Sequence, residues 1–249
     1  SYKIWTERGR IFVETNSTAT AIKRLARVPG ITSLSPSVKV EANMSAIRES
    51  SVKMAKRLLR QGMSFGVRTN RVGDHPFSSK DVNMEIGSSI MSAVSGLRVD
   101  LSEPDIEISI DIRGENAYIF SSTVSGIGGL PVGTQGKVVS IFSGTRNDFA
   151  ASFMIIKRGC AVFPIFLNPD ESMNNTRSKR VISSAKKLAE FDSAPYLWTF
   201  PFKRASKAIQ AKSPKGLEFY ALRRCALRAA EIIAKRIGAE AIVLGDDAE

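Results

Sequence analysis

The chain has 249 residues, 43% of them hydrophobic, and no apolar run approaches the roughly 18 residues that a membrane-spanning helix needs. Lys and Arg number 36 against 24 Asp and Glu, a formal net charge of +12 that favours a polyanionic partner or simply keeps a basic protein in solution. Two cysteines, Cys160 and Cys225, are too few for a disulfide scaffold or a four-ligand zinc site, and they point to a reducing, cytoplasmic setting. The first ten residues mix charges with Trp5 and lack the pattern of a secretory leader.

Three blocks follow in chain order. In the first, Arg10–Glu14 reads as a strand and Ser17–Val28 as a short helix with Ile22 and Leu25 inward; Pro29-Gly30 ends it and an extended stretch begins at Ile31. The second block predicts a helix near Ala42–Gln61, a strand near Phe65–Asn70, a polar turn at Gly73–Pro76 and a helix near Lys80–Ser95. Strands Ile106–Ile112 and Ala117–Ser122 follow, turning at Gly114 and Glu115. The third opens on the glycine-rich connector Gly126–Gly136. Strand Val138–Phe142, helix Phe149–Arg158, strand Ala161–Leu167, helix Leu217–Ile237 and strand Ala241–Leu244 come after it. Apolar strands alternating with helices predict a parallel sheet covered on both faces, with ligands at the carboxyl ends of its strands, near Ser143, Leu167 and Gly245.

Lys53, Lys56, Arg57 and Arg60 fall at i, i+3, i+4 and i+7, one face of a helix, with Glu49 the only acid close by. Arg68 and Arg71 follow on the next strand. The stripe is either a solvated face or a nucleic-acid contact. Aromatics are sparse there, so backbone and shape recognition fits better than base stacking. The connector fails as a phosphate loop: Pro131 stands where the first Walker A glycine belongs, and Val138 replaces its Ser or Thr. A structural linker is the better reading. Ser143–Asp148, between strand and helix, is either an anion-binding turn or a plain turn with Asp148 as helix N-cap. His75, the single histidine, reads as a surface residue; no triad or metal site is predicted.

Several runs resemble the tRNA 4-thiouridine synthetase (tRNA sulfurtransferase, ThiI-type) family. They are Gly126–Gly136, Ser-Ile-Phe-Ser-Gly144, Lys157–Cys160, Phe77–Asn83, Val99–Asp105, Val28–Ile31, Arg223–Glu231 and Gly238–Gly245. The resemblance implies an α/β chain with part of an N-terminal ferredoxin-like domain over residues 1–40 and a THUMP RNA-binding domain over 41–124. A PP-loop, adenine nucleotide alpha-hydrolase-like domain with a parallel α/β/α sheet would then occupy 125–249. It also implies binding of tRNA and of ATP with Mg2+, adenylation of the 4-oxygen of a uridine (position 8), and displacement of AMP by a persulfide sulfur. ATP would meet Ile141, Phe142, Ser143, Gly144, Phe166, Leu167, Arg223 and Gly245, and tRNA would meet Lys53, Lys56, Arg57, Arg60, Arg68 and Arg71. A cysteine desulfurase or other sulfur donor and a second copy of the chain stand as candidate partners. A role in thiamine biosynthesis belongs to some family members, but nothing here resembles the rhodanese-type domain on which that role generally depends.

The phosphate loop departs from the family's Ser-Gly-Gly-x-Asp-Ser. Thr145 replaces a glycine, Asn147 the acid important for adenylation, and Asp148 a phosphate-binding serine. Two readings therefore stand: a thiolation enzyme, or a non-catalytic tRNA-binding paralogue with a relic or nucleotide-sensing domain. In the family a strand and helix precede the stretch at Tyr2, and a glutamine contact and a sulfur-relay cysteine follow Glu249, so a longer chain is expected.

Overall fold

The structure, a computed structural model, describes residues 2–7, 9–170, 172–191 and 196–245. By contact the chain divides into two units, one of Leu34–Val124 and one that joins Ser1–Ser33 to Ser125–Glu249.

The chain starts with a hairpin in which β1 (Tyr2–Glu7) and β2 (Arg10–Thr15) pair antiparallel with Trp5 opposite Phe12. Those two rings stack with centroids 5.4 Å apart. Strand β1 escapes sequence reading because its side chains alternate without a buried face; Tyr2, Ile4 and Ile11 are exposed. Helix α1 (Thr18–Leu25) stops short of the expected Val28. The segment after it is held by the glycine-rich connector: Gly30 N–H donates to the Gly128 carbonyl, Gly126 N–H to that of Thr32, and Ile127 N–H to that of Ala26. A Cβ on Gly126 would collide with the Ile31 carbonyl, and one on Gly129 (φ +83°) with the Lys157 carbonyl. These glycines therefore serve close backbone packing, as the linker reading expects.

In the Leu34–Val124 unit the extended stretch expected from Ile31 is two pieces, β3 (Ser33–Leu34) and β4 (Val38–Glu41). Helix α2 (Met44–Leu58), β5 (Ser64–Val72), α3 (Ser79–Ala93), β6 (Arg98–Val99), β7 (Ile106–Arg113), β8 (Asn116–Phe120) and β9 (Val124–Ser125) follow. The sheet order is β4-β8-β7-β5-β6, with β5 parallel to β6 and β7 and the other pairs antiparallel; β3 pairs separately with β9. Both helices cover one face of the sheet. Ile47, Ala55, Val82, Ile86 and Ile90 pack on Phe65, Val67, Ile108, Ile110 and Ile112, each isoleucine contributing about 1.5–3 kcal/mol by leaving water. The Asn43 side chain caps α2 by accepting from Ala46 N–H at 2.8 Å, and Ser78 with Asp81 forms a capping box on α3. His75 is half-buried rather than a plain surface residue: its Nε2 lies 2.8 Å from the Gly114 carbonyl and its ring stacks on Phe77. The polar turn folds onto the β7–β8 turn, which periodicity cannot show.

The other unit continues with β10 (Lys137–Ile141), α4 (Arg146–Lys157), β11 (Ala161–Asn168), α5 (Thr176–Leu188), β12 (Trp198–Pro201), α6 (Lys203–Lys212), α7 (Glu218–Ile237) and β13 (Ala241–Leu244). All four strands are parallel in the order β12-β11-β10-β13. Val138, Phe142, Val162 and Phe166 join a core with Ile156, Val181 and Leu188 on one face. Val139, Ile141, Ile165 and Leu167 join Ala230 and Ala234 on the other. Burial on both faces is why β10 and β11 read as near-continuous apolar runs. Gly238 closes α7 in the left-handed region at φ +67°. Among the described residues no helix is long and apolar enough to cross a membrane.

Candidate functional site

The parallel register sets Ile141 between Ile165 and Leu244, so the carboxyl ends of β10, β11 and β13 come together as expected for a ligand-binding sheet edge. Helix α7 runs into β13 through Gly238, which puts its amino-terminal half, with exposed Arg223, at that same end. Ile141 and Leu167 face α7 and are mostly buried at this rim. Phe142 and Phe166 are each 1% exposed and pack in the core on the α4 and α5 face. Alternation along each strand forces the split, since neighbouring residues point to opposite sheet faces.

Between β10 and α4 the loop turns through Gly144 at φ +95°. Helix α4 begins at Arg146 with Thr145 as its N-cap, so Asp148 is the third helical residue and not the N-cap that spacing suggests. From there its carboxylate reaches back over the turn. Asp148 Oδ2 accepts from Ser143 N–H at 2.8 Å, Gly144 N–H at 2.8 Å and Thr145 N–H at 2.9 Å, and the Ser143 hydroxyl donates to both carboxylate oxygens at 3.2 and 3.3 Å. Hydrogen bonds to a charged group each contribute about 1.5–3 kcal/mol, so the turn is strongly fixed in this form.

The loop is also braced from outside. The Ser152 hydroxyl donates to the Asp148 carbonyl at 2.7 Å, and Ser140 Oγ lies 2.8 Å from Ser152 Oγ in the core. Gly245, just past β13, lies against the loop backbone: a Cβ there would collide with the Asp148 amide nitrogen and stand 2.5 Å from the Asn147 carbonyl carbon. Sequence reading missed Arg177, in the first turn of α5. Its carbonyl oxygen and Cγ lie 3.3 and 3.5 Å from where a Cβ on Gly144 would sit. The signal for this helix is Asn175, which caps α5 by accepting from Ser178 N–H at 2.7 Å.

The second set of predicted residues lies in the Leu34–Val124 unit. Lys53, Lys56 and Arg57 are exposed along one side of α2, but Arg60, also exposed, lies past the end of the helix, because the backbone turns extended at Leu59 and the helical i+7 position is lost. Arg60 folds back to donate to the carbonyls of Arg57 at 3.1 Å and Leu59 at 2.8 Å, closing the end of the helix. Arg68 is exposed on β5 and pairs with Glu107 at 3.1 Å. Its neighbour Val67 faces α2 and α3, so alternation places Arg68 on the opposite sheet face from the stripe. Arg71, half-buried, donates to the Gly73 carbonyl at 3.1 Å. In the other unit, by itself, helix α5 carries Arg177, Lys179, Arg180, Lys186 and Lys187, all exposed, with no acid between Thr176 and Leu188.

Residues 133–248 match the family model for the thiamine biosynthesis protein ThiI, and residues 41–122 match the THUMP domain. A probable tRNA sulfurtransferase of Macrococcus caseolyticus is 33% identical over 99% of this chain, and one of Methanothermobacter thermautotrophicus is 33% identical over 95%. The chain spans 62% of the length of each of these relatives. The crystal structure of PH1313 from Pyrococcus horikoshii is 32% identical and superposes with a TM-score of 0.74, over 85% of this chain and 72% of that one. A 4-thiouridine synthetase solved with RNA and bound ATP shares the fold at a TM-score of 0.86 and 23% identity, over 98% of this chain and 64% of that one. With the sheet order, the strand-end loop and both family models in agreement, the chain carries a THUMP domain followed by a ThiI-type domain of PP-loop fold, and along nearly its whole length it is similar to probable tRNA sulfurtransferases.

Proposed function

We propose that this chain is the tRNA-recognising and nucleotide-binding portion of a tRNA 4-thiouridine synthetase. The observation that carries this reading is similarity to probable tRNA sulfurtransferases along almost the whole chain, across both units and in the same order. In the THUMP unit the exposed cations Lys53, Lys56, Arg57 and Arg60 hold the tRNA backbone, with Arg71 contributing from β5 and Arg68 offering a separate contact on the opposite sheet face. In the PP-loop unit ATP and Mg2+ sit at the strand ends. Ser143 and Gly144 are at the loop, Ile141 and Leu167 at the rim, Phe142 and Phe166 contribute main chain, and Arg223 and Gly245 flank the site. The uridine 4-oxygen attacks the α-phosphate, pyrophosphate leaves, and a persulfide sulfur then displaces AMP. The sulfur comes from a cysteine desulfurase or a similar donor in the cytoplasm, and the protein works as a homodimer. Replacing Lys53, Lys56, Arg57 and Arg60 together with alanine is expected to weaken tRNA binding at least tenfold and to flatten its salt dependence by about 3 units of log–log slope. Binding titrations at several salt concentrations measure this; an unchanged slope removes the stripe from the interface.

A second reading is favoured by the contacts of Asp148: a tRNA-binding paralogue that does not adenylate. Incubating the full-length protein with tRNA, Mg2+, ATP and a persulfide donor decides between them. Release of pyrophosphate and AMP supports the enzyme, and tRNA binding without either supports the paralogue.

A further inference from the structure

Neither reading gives Asp148 a task, yet it is 2% exposed and accepts three consecutive backbone N–H groups on one carboxylate oxygen. Amide groups converging in this way at the start of a helix are the arrangement that receives a phosphate oxygen elsewhere. Here the concavity already holds an anion, and it is one the chain supplies itself. The carboxylate is not loosely placed: its own backbone is gripped by the Ser152 hydroxyl and by Gly245 after β13. A second anion entering beside it would meet like charge and find the Ser143, Gly144 and Thr145 donors taken.

We infer that Asp148 is a built-in stand-in for phosphate, an autoinhibitory contact that closes the loop so that nucleotide phosphates reach its N–H groups only when the carboxylate swings out. The inference rests on the strand ends being the nucleotide site. Its consequence is a specificity opposite to that of an open phosphate loop: with Asp148 in place, ATP binds no better than adenosine. Asp148→Ser removes the anion and leaves the donors facing the concavity.

The test titrates nitrogen-15-labelled wild-type and Asp148→Ser proteins with Mg-ATP, adenosine and pyrophosphate, by calorimetry and by amide resonances. In the wild type, the Ser143, Gly144 and Thr145 amides are expected to stay in place with ATP and pyrophosphate, and the two Kd values, for ATP and adenosine, to agree within about threefold. In Asp148→Ser all three amides shift, and ATP tightens at least tenfold while adenosine is unchanged. Wild-type amides that move with ATP, together with ATP tenfold tighter than adenosine, overturn the inference. So do Asp148→Ser amides that ignore both phosphate compounds. If neither ATP nor adenosine binds either protein but pyrophosphate moves the three amides of Asp148→Ser alone, the built-in anion stands and the nucleotide reading fails. Should Asp148→Ser lose its cooperative melt, Asp148→Asn, which keeps an acceptor and removes the charge, is expected to tighten ATP about threefold; no change overturns the inference.

Discussion

Helices α3 and α4 begin with the same device, an aspartate at the third helical position reaching back to the N-cap. In the THUMP unit Asp81 accepts from the N–H and hydroxyl of Ser78, both at 2.8 Å, and remains exposed. In the PP-loop unit Asp148 likewise accepts from the Thr145 N–H but also gathers Ser143 and Gly144, and it is buried. The difference comes from what precedes each helix. Before α3 the chain arrives from a polar turn that folds onto the β7–β8 turn; before α4 it arrives directly from the central strand β10, and the turn at Gly144 curls the chain around the carboxylate. A short capping motif is thus a local stabiliser in one place and fills a ligand position in the other, depending on the strand that feeds it.

The sharpest way to break this comparison is to delete both devices. Asp148→Ala removes a buried acceptor of three backbone donors and is expected to cost about 3 kcal/mol, whereas Ser78→Ala removes an exposed cap and costs about 1 kcal/mol. Chemical denaturation of each variant measures both; equal losses would mean that burial and the two extra N–H groups add nothing. Next in size is Gly245→Ala, whose methyl has no room beside Asn147 and Asp148. Overpacking of this kind costs about 1–3 kcal/mol, and the loss should appear as a lower Tm with shifted loop amides but an unchanged THUMP unit. The smallest effect concerns acid. Ser64 N–H, with its hydroxyl, holds Asp105 below the usual carboxylate range; Glu103 N–H does so for Asp100, and Ser78 N–H for Asp81. A depressed folded pKa adds stability that is present above the unfolded value, near pH 4, and is lost as pH falls through the folded value. The THUMP unit should therefore lose Tm below about pH 4, and Asp105→Asn should make that loss shallower in melts across the acid range.

How much of this was legible in the sequence varies with the kind of contact that fixes each element. Val138–Ile141 and Ile106–Ile112 are visible because burial on one or both faces imprints a pattern that survives without neighbours. Helix α5 is hidden: only Ser178, Val181 and Leu188 are buried, and five cations interrupt the stripe. Strand β12 pairs on one side with β11 alone, so Trp198 can be exposed and Pro201 can end it, which erases the strand signature. The strand ends at Ile141, Leu167 and Gly245 follow from topology, but which face Phe142 takes requires the register of the finished sheet. Asp148 could be read from sequence as an acid in the wrong place for a phosphate. That it turns inward is fixed by the Ser143, Gly144 and Thr145 N–H groups, and the backbone beside it is packed against Gly245, a residue far along the chain.

That distance also orders events in time. The backbone beside Asp148 is packed against the residue after β13, and β13 follows α7 in the chain, far from the strand β10 that it pairs with. Contacts between remote segments form late, because the entropy of closing the intervening chain is lost before they give anything back. The helix start at Thr145 can form early from its own neighbours, while the finished loop waits for the edge strand. Its geometry is therefore expected to be a late product of folding, with its local opening coupled to how firmly that strand stays in place.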